Sequence, residues 1–325
     1  MLKNRTPRID HSGLVRLPFP AEIAIETHSY CNLRCIICPH STMQRTKGKM
    51  ATELFHKIID EVAQESPETR LWLAIMGEPL MDKSIISHLR YADEHGAHRI
   101  HLNTNGTFLD DAIARDILDS DVESIYVAID ALTPATYARV RPGGDFDRVR
   151  RNVENVLKLR AQRSGRKPEV VVQFIVMDEN ESEMEGFLTF WLEKGAVVKL
   201  RLRQGWGIHI TAPDLQNVHI DRFPCPWLLR TMNIHWSGRV TQCDVDYEER
   251  HSAGDLSRQS IKEVWDGELA QRRERHWKGD FQHPLCTSCQ DWAAGRAEFF
   301  YPDAESKTNA PRWSIGTVGV SPGKD

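Results

Sequence analysis

Residues 21–38 read AEIAIETHSYCNLRCIIC, and the fold is legible from how this stretch is built. Ala21 to Glu26 alternates apolar and polar like a strand. It runs directly into Cys31, Cys35 and Cys38, a C-x3-C-x2-C pattern. Three thiolates on one short loop can hold three irons of a [4Fe–4S] cube, which leaves the fourth iron open to a substrate. A zinc knuckle completed by His28 or His40 is the bland alternative for the same residues.

Outward from that loop, helix-like and strand-like segments alternate. Leu54, Phe55, Ile58, Ile59 and Val62 recur at helical spacing, and Leu71 to Met76 is a short apolar run. The segments SIISHLRYADEHG and RIHLNT, then DDAIARDILDS and ESIYVAID, repeat the pair. A helix from Asp145 to about Gln162 precedes EVVVQFIVM, and SEMEGFLTFWLEKG precedes VVKLRLR. Six strands, each feeding a helix or long loop, predict an α/β fold with a parallel sheet bent into a partial, six-stranded barrel. In a barrel, a loop after a strand lies at the C-terminal end of the sheet, where active sites sit.

The rhythm breaks near Gly205 to Pro213. The sequence therefore predicts an irregular lead-in over 1–20, the barrel over 21–210, a second, smaller α+β domain over 211–300 and a loosely ordered tail over 301–325. The second domain carries a hairpin signal at Ser237-Gly238 and a helix near Ser260 to Arg273. It also carries Cys225, Cys243, Cys286 and Cys289, four thiolates that suit a structural zinc or a fully ligated [4Fe–4S] cluster equally well by spacing.

Composition narrows the function. The chain has 325 residues, 40% hydrophobic and 27% charged, with a formal net charge of −4. That balance gives no reason to expect nucleic acid or an anionic membrane as partner. No apolar run approaches the roughly 20 residues that span a bilayer, and MLKNRTPRID lacks the apolar core of a signal peptide. A cytoplasmic location is expected, where seven cysteines point to metal or catalysis rather than disulfides.

With these residues in view, the chain resembles radical SAM enzymes, whose signature is C-x3-C-x-aromatic-C; Ile37 stands here where an aromatic residue is common. Met76-Gly77-Glu78-Pro79 matches the GGEP motif that binds the methionyl amino group of S-adenosylmethionine (SAM), and Asn103-Thr104-Asn105-Gly106-Thr107 matches the TNGT turn. Asp130 matches a ribose-facing acid, although Ala128 replaces the usual Ser two residues earlier. Arg141 in RVRPGGDF matches an arginine that meets the SAM carboxylate, and Asn180 lies where relatives often place a SAM contact. The phrases PCPWLLRTMNIHWSGRVTQC, GDL, IKEVW and LCTSCQDW resemble the SPASM extension in its shortened "twitch" form, which holds one auxiliary cluster. The resemblance implies SAM and two [4Fe–4S] clusters as cofactors, and a flavodoxin- or ferredoxin-type electron donor as partner.

It also implies the reaction. The reduced first cluster cleaves SAM to a 5′-deoxyadenosyl radical, which takes a hydrogen atom from the substrate. All seven cysteines are assigned to clusters, so no thiol remains to return a hydrogen atom, the common donor in an epimerase, although one of the six tyrosines could substitute. Only about 20 residues precede the first strand, too few for the preceding peptide-binding domain of peptide-modifying relatives. The pattern most resembles dehydrogenases that oxidise a secondary alcohol of an aminocyclitol or amino sugar, a small-molecule substrate. Candidate catalytic residues are Asp244 and Asp246, beside Cys243, and Arg203, which shares a strand face with Arg201. A radical epimerase, dehydratase or peptide-modifying enzyme is the enzymatic alternative, and a non-catalytic zinc or iron–sulfur module is the other.

Overall fold

The computed structural model describes residues 15–165, 167–212, 221–293, 296–302 and 312–313. Six strands follow the βα rhythm: β1 (Glu22–Ile25), β2 (Arg70–Leu73), β3 (Ile100–Thr104), β4 (Ser124–Ala128), β5 (Glu169–Val176) and β6 (Val197–Leu202). Each pairs in parallel with the next in chain order, which the intervening helical crossovers allow. Helices cover the outer face, so the strands are buried on both sides; β5 is buried at seven of eight positions. This is the partial TIM-like barrel the sequence predicts.

The helices are α1 (Thr52–Glu65), α2 (Ile85–Glu94), α3 (Asp111–Leu118), α4 (Pro134–Val140), α5 (Phe146–Ala161) and α6 (Met184–Glu193). Asp110, Thr133 and Asp145 cap α3, α4 and α5 by accepting from a backbone N–H three residues on. The α1 stripe of Phe55, Ile58, Ile59 and Val62 is fully buried against the sheet, which is what its spacing dictates. The short α4 was not anticipated, although Thr133-Pro134 is a cap-and-first-turn signal.

The C-terminal segment departs from expectation in one respect: its strands extend the barrel sheet instead of forming their own. After α7 (Pro226–Arg230), β7 (Thr231–Ile234) pairs in parallel with β1, Glu22 opposite Thr231 and Ile25 opposite Ile234. β8 (Arg239–Thr241) and β9 (Gly254–Asp255) continue antiparallel. On the far edge β10 (Arg296–Phe300) pairs antiparallel with β6, and β11 (Arg312–Trp313) with β10. Those two residues of the tail are therefore paired rather than loose; most of the tail and the first 14 residues lie outside the described residues. One helix expected near 260–273 is two, α8 (Ile261–Asp266) and α9 (Glu268–Trp277), interrupted at Gly267. A Cβ on Gly267 would sit 2.7 Å from the Glu263 carbonyl.

No described helix is long and apolar enough to cross a membrane.

Candidate active site between two cysteine sets

The C-terminal ends of the parallel strands gather the sequence landmarks. Glu26 closes β1, and the chain then turns through Cys31, Cys35 and Cys38. Gly77 lies against that loop: a Cβ there would sit 1.9 Å from the His28 carbonyl, so the backbone approach demands glycine. The neighbouring Glu78 is 2% exposed. Its carboxylate accepts from Thr104 Oγ1 (2.5 Å), Asn105 N (2.7 Å) and Leu80 N (3.1 Å). These three donors lock β2 to β3 and leave Oε2 one acceptor site, so the motif can offer a ligand its backbone and that remaining lone pair. Pro79 begins the 3₁₀ turn that Glu78 caps.

The other SAM-motif residues are equally built in. Asn105 Nδ2 donates to Asn32 Oδ1 (2.9 Å) and approaches Cys31 Sγ at 3.9 Å. Asp130 has φ +58°, a left-handed backbone uncommon outside glycine, and is fully buried. Its carboxylate pairs with the Arg141 guanidinium and accepts from Ile175 N at 2.7 Å. Arg141 Nη1 also reaches Cys35 Sγ at 3.5 Å. Burial opposes that charge, but Asp130 and the Cys35 sulfur outweigh it and hold Arg141 protonated. Asn180 is fully buried; it donates to the carbonyls of Asp130 and Ile175 and accepts from Met177 N. Its side chain thus ties the loop after β5 to the Asp130 backbone after β4.

The cysteines fit two clusters. None is in a disulfide. Burial raises the thiol of Cys31 to about 11 and those of Cys38 and Cys225 to about 12, with neighbouring sulfurs adding to the rise. The Cys35, Cys243, Cys286 and Cys289 thiols move the same way for the same main reason. Buried thiols that repel one another as thiolates need a cation in their midst. Among the described residues no three sulfurs lie within 4.8 Å of one another. Thiolates around one zinc, at Zn–S of about 2.3 Å, would be about 3.8 Å apart. Wider spacing suits the corners of a cube. Polar donors already face two sulfurs besides Cys31: Arg141 at Cys35 and Gln242 Nε2 at Cys286 (3.2 Å), contacts of the kind that tune iron–sulfur potentials.

A cavity of roughly 210 Å³ is lined by residues of the parallel strands, by Trp206, which is hydrogen-bonded to the Ile37 carbonyl of the first cysteine loop, and by Asp244, next to Cys243. Trp72, Trp206 and Trp227 wall it, and Asn103, Gln173 and Asn233 supply amides. Arg201 and Asp244 line its upper part, with Glu22 and Lys199 deeper. Asp244 follows Cys243 directly. Burial raises its carboxyl to about 6, with the Asp291 charge adding and Arg201 opposing.

The structure does not bring the other two proposed catalytic residues here. Asp246 is 2% exposed and accepts from Arg250 N and His251 N, both at 2.9 Å, so it caps its own loop. Arg203 is absent from the lining; it follows the end of β6 and lies 3.9 Å from Glu179. Arg201, its partner on the strand face, occupies the interior instead. Sequence reading also passed over Glu22, Lys199, Trp206 and Asp291, because no motif marks them. Period-two alternation through VVKLRLR puts Lys199 on the face of Arg201, and was the available signal. A further buried group, Glu26, His235 and Glu249, encloses Arg45, which bridges both carboxylates as their counter-ion.

A model of the radical SAM superfamily matches residues 25–190, just over half of the chain. The chain belongs to that superfamily. A SPASM iron–sulfur cluster-binding domain model matches residues 225–290, the segment holding the second cysteine set. This radical SAM enzyme accordingly uses SAM and two iron–sulfur clusters. Among curated relatives, a tungsten-containing aldehyde ferredoxin oxidoreductase cofactor-modifying protein of Pyrococcus furiosus is 26% identical over 176 residues, 53% of this chain and 48% of that protein. A probable GTP 3′,8-cyclase of Methanococcus maripaludis is 24% identical over 197 residues, 60% of this chain and 61% of that one. The chain thus matches about half to three-fifths of the length of these relatives. Among solved structures, BtrN in complex with AdoMet and 2-DOIA has a TM-score of 0.61 at 19% identity, covering 85% of this chain and 94% of that one. SuiB of Streptococcus suis bound to its precursor peptide SuiA has 0.65 at 12%, covering 86% and 71%. These likenesses are of fold.

Proposed function

We propose that this radical SAM enzyme oxidises a secondary alcohol of a small polar ring, an aminocyclitol or amino sugar, to a ketone. The observation that supports this most is the single cavity reaching from the β3 end, beside the first cysteine loop, to Asp244, which adjoins the auxiliary ligand Cys243. A substrate there would lie against Trp206, which is hydrogen-bonded to the first cysteine loop at Ile37, and against Asp244, next to Cys243. When bound, the first cluster with SAM supplies a hydrogen-abstracting carbon radical, and the auxiliary cluster supplies an acceptor for the second electron.

The protein's own residues do the rest. Gly77 and the backbone around Glu78, with Asn105, Asp130 and Arg141, are the proposed SAM contacts; Asn180 supports them by fixing the Asp130 backbone. Asp244 accepts the hydroxyl proton, being the carboxylate that lines the cavity next to the auxiliary ligand Cys243. The tryptophan walls pack the faces of a ring, and Asn103, Gln173 and Asn233 orient its hydroxyls. A volume near 210 Å³ suits one ring better than a peptide segment. A flavodoxin- or ferredoxin-type protein is the proposed electron donor.

The test is product mass. Anaerobic protein with dithionite, SAM and a candidate aminocyclitol should give 5′-deoxyadenosine and a product about two mass units lighter. Asp244→Asn should still cleave SAM while ketone formation falls by about 10²-fold or more. An unchanged mass would mean epimerisation, and a loss of about 18 dehydration; either removes the dehydrogenase reading.

A further inference from the structure

The floor of the cavity holds a buried lysine. Lys199 is 5% exposed and lines the cavity, yet its ammonium makes neither a hydrogen bond nor an ion pair among the described residues. It is enclosed by ring faces: Tyr126 at 5.0 Å, Phe299 at 5.7 Å and Trp72 at 6.0 Å. Three strands build this cage, β2, β4 and β10, and Phe299 stands directly opposite Lys199 across the β6–β10 pair. Such rings favour a cation but do not replace an anion.

The nearby carboxylate is already engaged. Glu22 Oε1 meets Arg70 at 3.3 Å, and Glu22 Oε2 accepts from Trp72 Nε1 at 2.9 Å. Arg230 also acts on that carboxylate, so three cations, Arg70, Arg230 and Lys199, face one acid. One layer above, on the same face of β6, Arg201 donates from Nη1 to Gln204 Oε1 at 2.9 Å and is answered by Asp130, Asp244 and Asp291, while its buried Nε has no hydrogen bond among the described residues. A buried cation is costly unless an anion answers it, and among the described residues Glu22, shared with Arg70 and Arg230, is the acid that acts on Lys199, without a direct ion pair.

We infer that the cavity floor is an anion subsite in which Lys199 receives a carboxylate carried by the substrate. The inference rests on the cavity being the substrate site and deepens that reading: the ring bears an acid group at one end and its reacting alcohol toward the cluster end. A carboxylate fits better than a phosphate. A phosphate dianion recruits several donors, commonly backbone N–H groups, whereas this floor offers one ammonium in an aromatic cage. Burial, aided by Arg201 and opposed by Glu22, lowers the Lys199 ammonium to about 7, so an arriving anion would draw a proton onto it. Asp244, which lines the upper part with Arg201, leaves room for an amine or hydroxyl there.

The test is binding by calorimetry to cluster-reconstituted, SAM-loaded protein without reductant, using D-glucuronate, D-glucosamine and D-glucose as probes. Glucuronate should bind at least about tenfold tighter than glucose, the ratio that one unsatisfied charge is expected to command. Lys199→Met, which keeps the volume and suits the ring cage, should remove that preference at unchanged iron content and thermal midpoint. Lys199→Arg should retain most of it, and Lys199→Gln serves if the Met variant folds poorly. Equal binding of the three probes, tighter glucosamine binding, no glucuronate binding up to its solubility limit, or a preference that survives Lys199→Met would each overturn the subsite. Because no SAM cleavage is needed, the result is independent of ketone formation: loss of the subsite with ketone still formed would leave the dehydrogenase standing.

Discussion

The indole Nε1–H of Trp206 donates to the backbone carbonyl of Ile37 at 2.9 Å, tying the loop after β6 to the turn between Cys35 and Cys38. Trp206 is itself held from the other side. Its φ is +49°, and the Asp291 carboxylate accepts from the flanking Gly205 N (2.6 Å) and Gly207 N (2.8 Å). Asp291 lies two residues beyond Cys289. A hydrogen-bonded strap therefore runs from one cysteine set to the other, with a cavity wall at its centre.

Trp206→Phe should keep the wall and cut the strap. The expected loss is about 1 kcal/mol of stability from one hydrogen bond, with several-fold slower 5′-deoxyadenosine formation. Anaerobic thermal unfolding and a single-turnover SAM cleavage assay check the two halves. Unchanged rates and midpoint would mean that the strap carries no strain between the loops.

Gly77→Ala should damage one metal site and spare the other. The added Cβ would lie 1.9 Å from the His28 carbonyl, a backbone atom that cannot move without displacing the segment leading to Cys31. About half of the reconstituted iron should be lost, while the set on Cys225, Cys243, Cys286 and Cys289 keeps its share. Iron and sulfide counts on the variant decide this.

Acid should weaken the junction of barrel and C-terminal segment through Glu26. Burial alone would raise its carboxyl, but hydrogen bonding and charge from His235 and Arg45 prevail and hold it at about 2. A folded-state value below the unfolded one of about 4.3 stabilises the fold fully above that pH, and the benefit fades as pH falls toward 2. The contribution is on the order of 3 kcal/mol for this buried group. The stability difference between wild type and Glu26→Gln, in which cluster loss is common to both, should roughly halve from pH 5 to pH 3. A difference independent of pH contradicts the pairing.

Local pattern carried most of the barrel, because parallel strands buried on both faces, such as EVVVQFIVM, announce themselves, and so do cysteines at ligand spacing. Long-range pairing did not. Nothing in TMNI says that it lies beside β1, or in RAEFF that it closes the β6 edge, since register between distant strands leaves no local period. The site shows the same division. Alternation put Lys199, Arg201 and Arg203 on one face, but which of them faces the cavity depends on where β6 ends, and it ends at Leu202. Asp244 and Asp246 look alike in CDVDYEER; only the fold turns one into the cavity and spends the other on two backbone N–H groups.

The most direct test of the central claim, a two-electron oxidation served by two clusters, is the iron and sulfide content of the anaerobically reconstituted protein. About eight of each per chain is predicted, with both sets contributing. About four irons with one zinc would leave SAM cleavage possible, remove the acceptor for the second electron, and contradict the dehydrogenase.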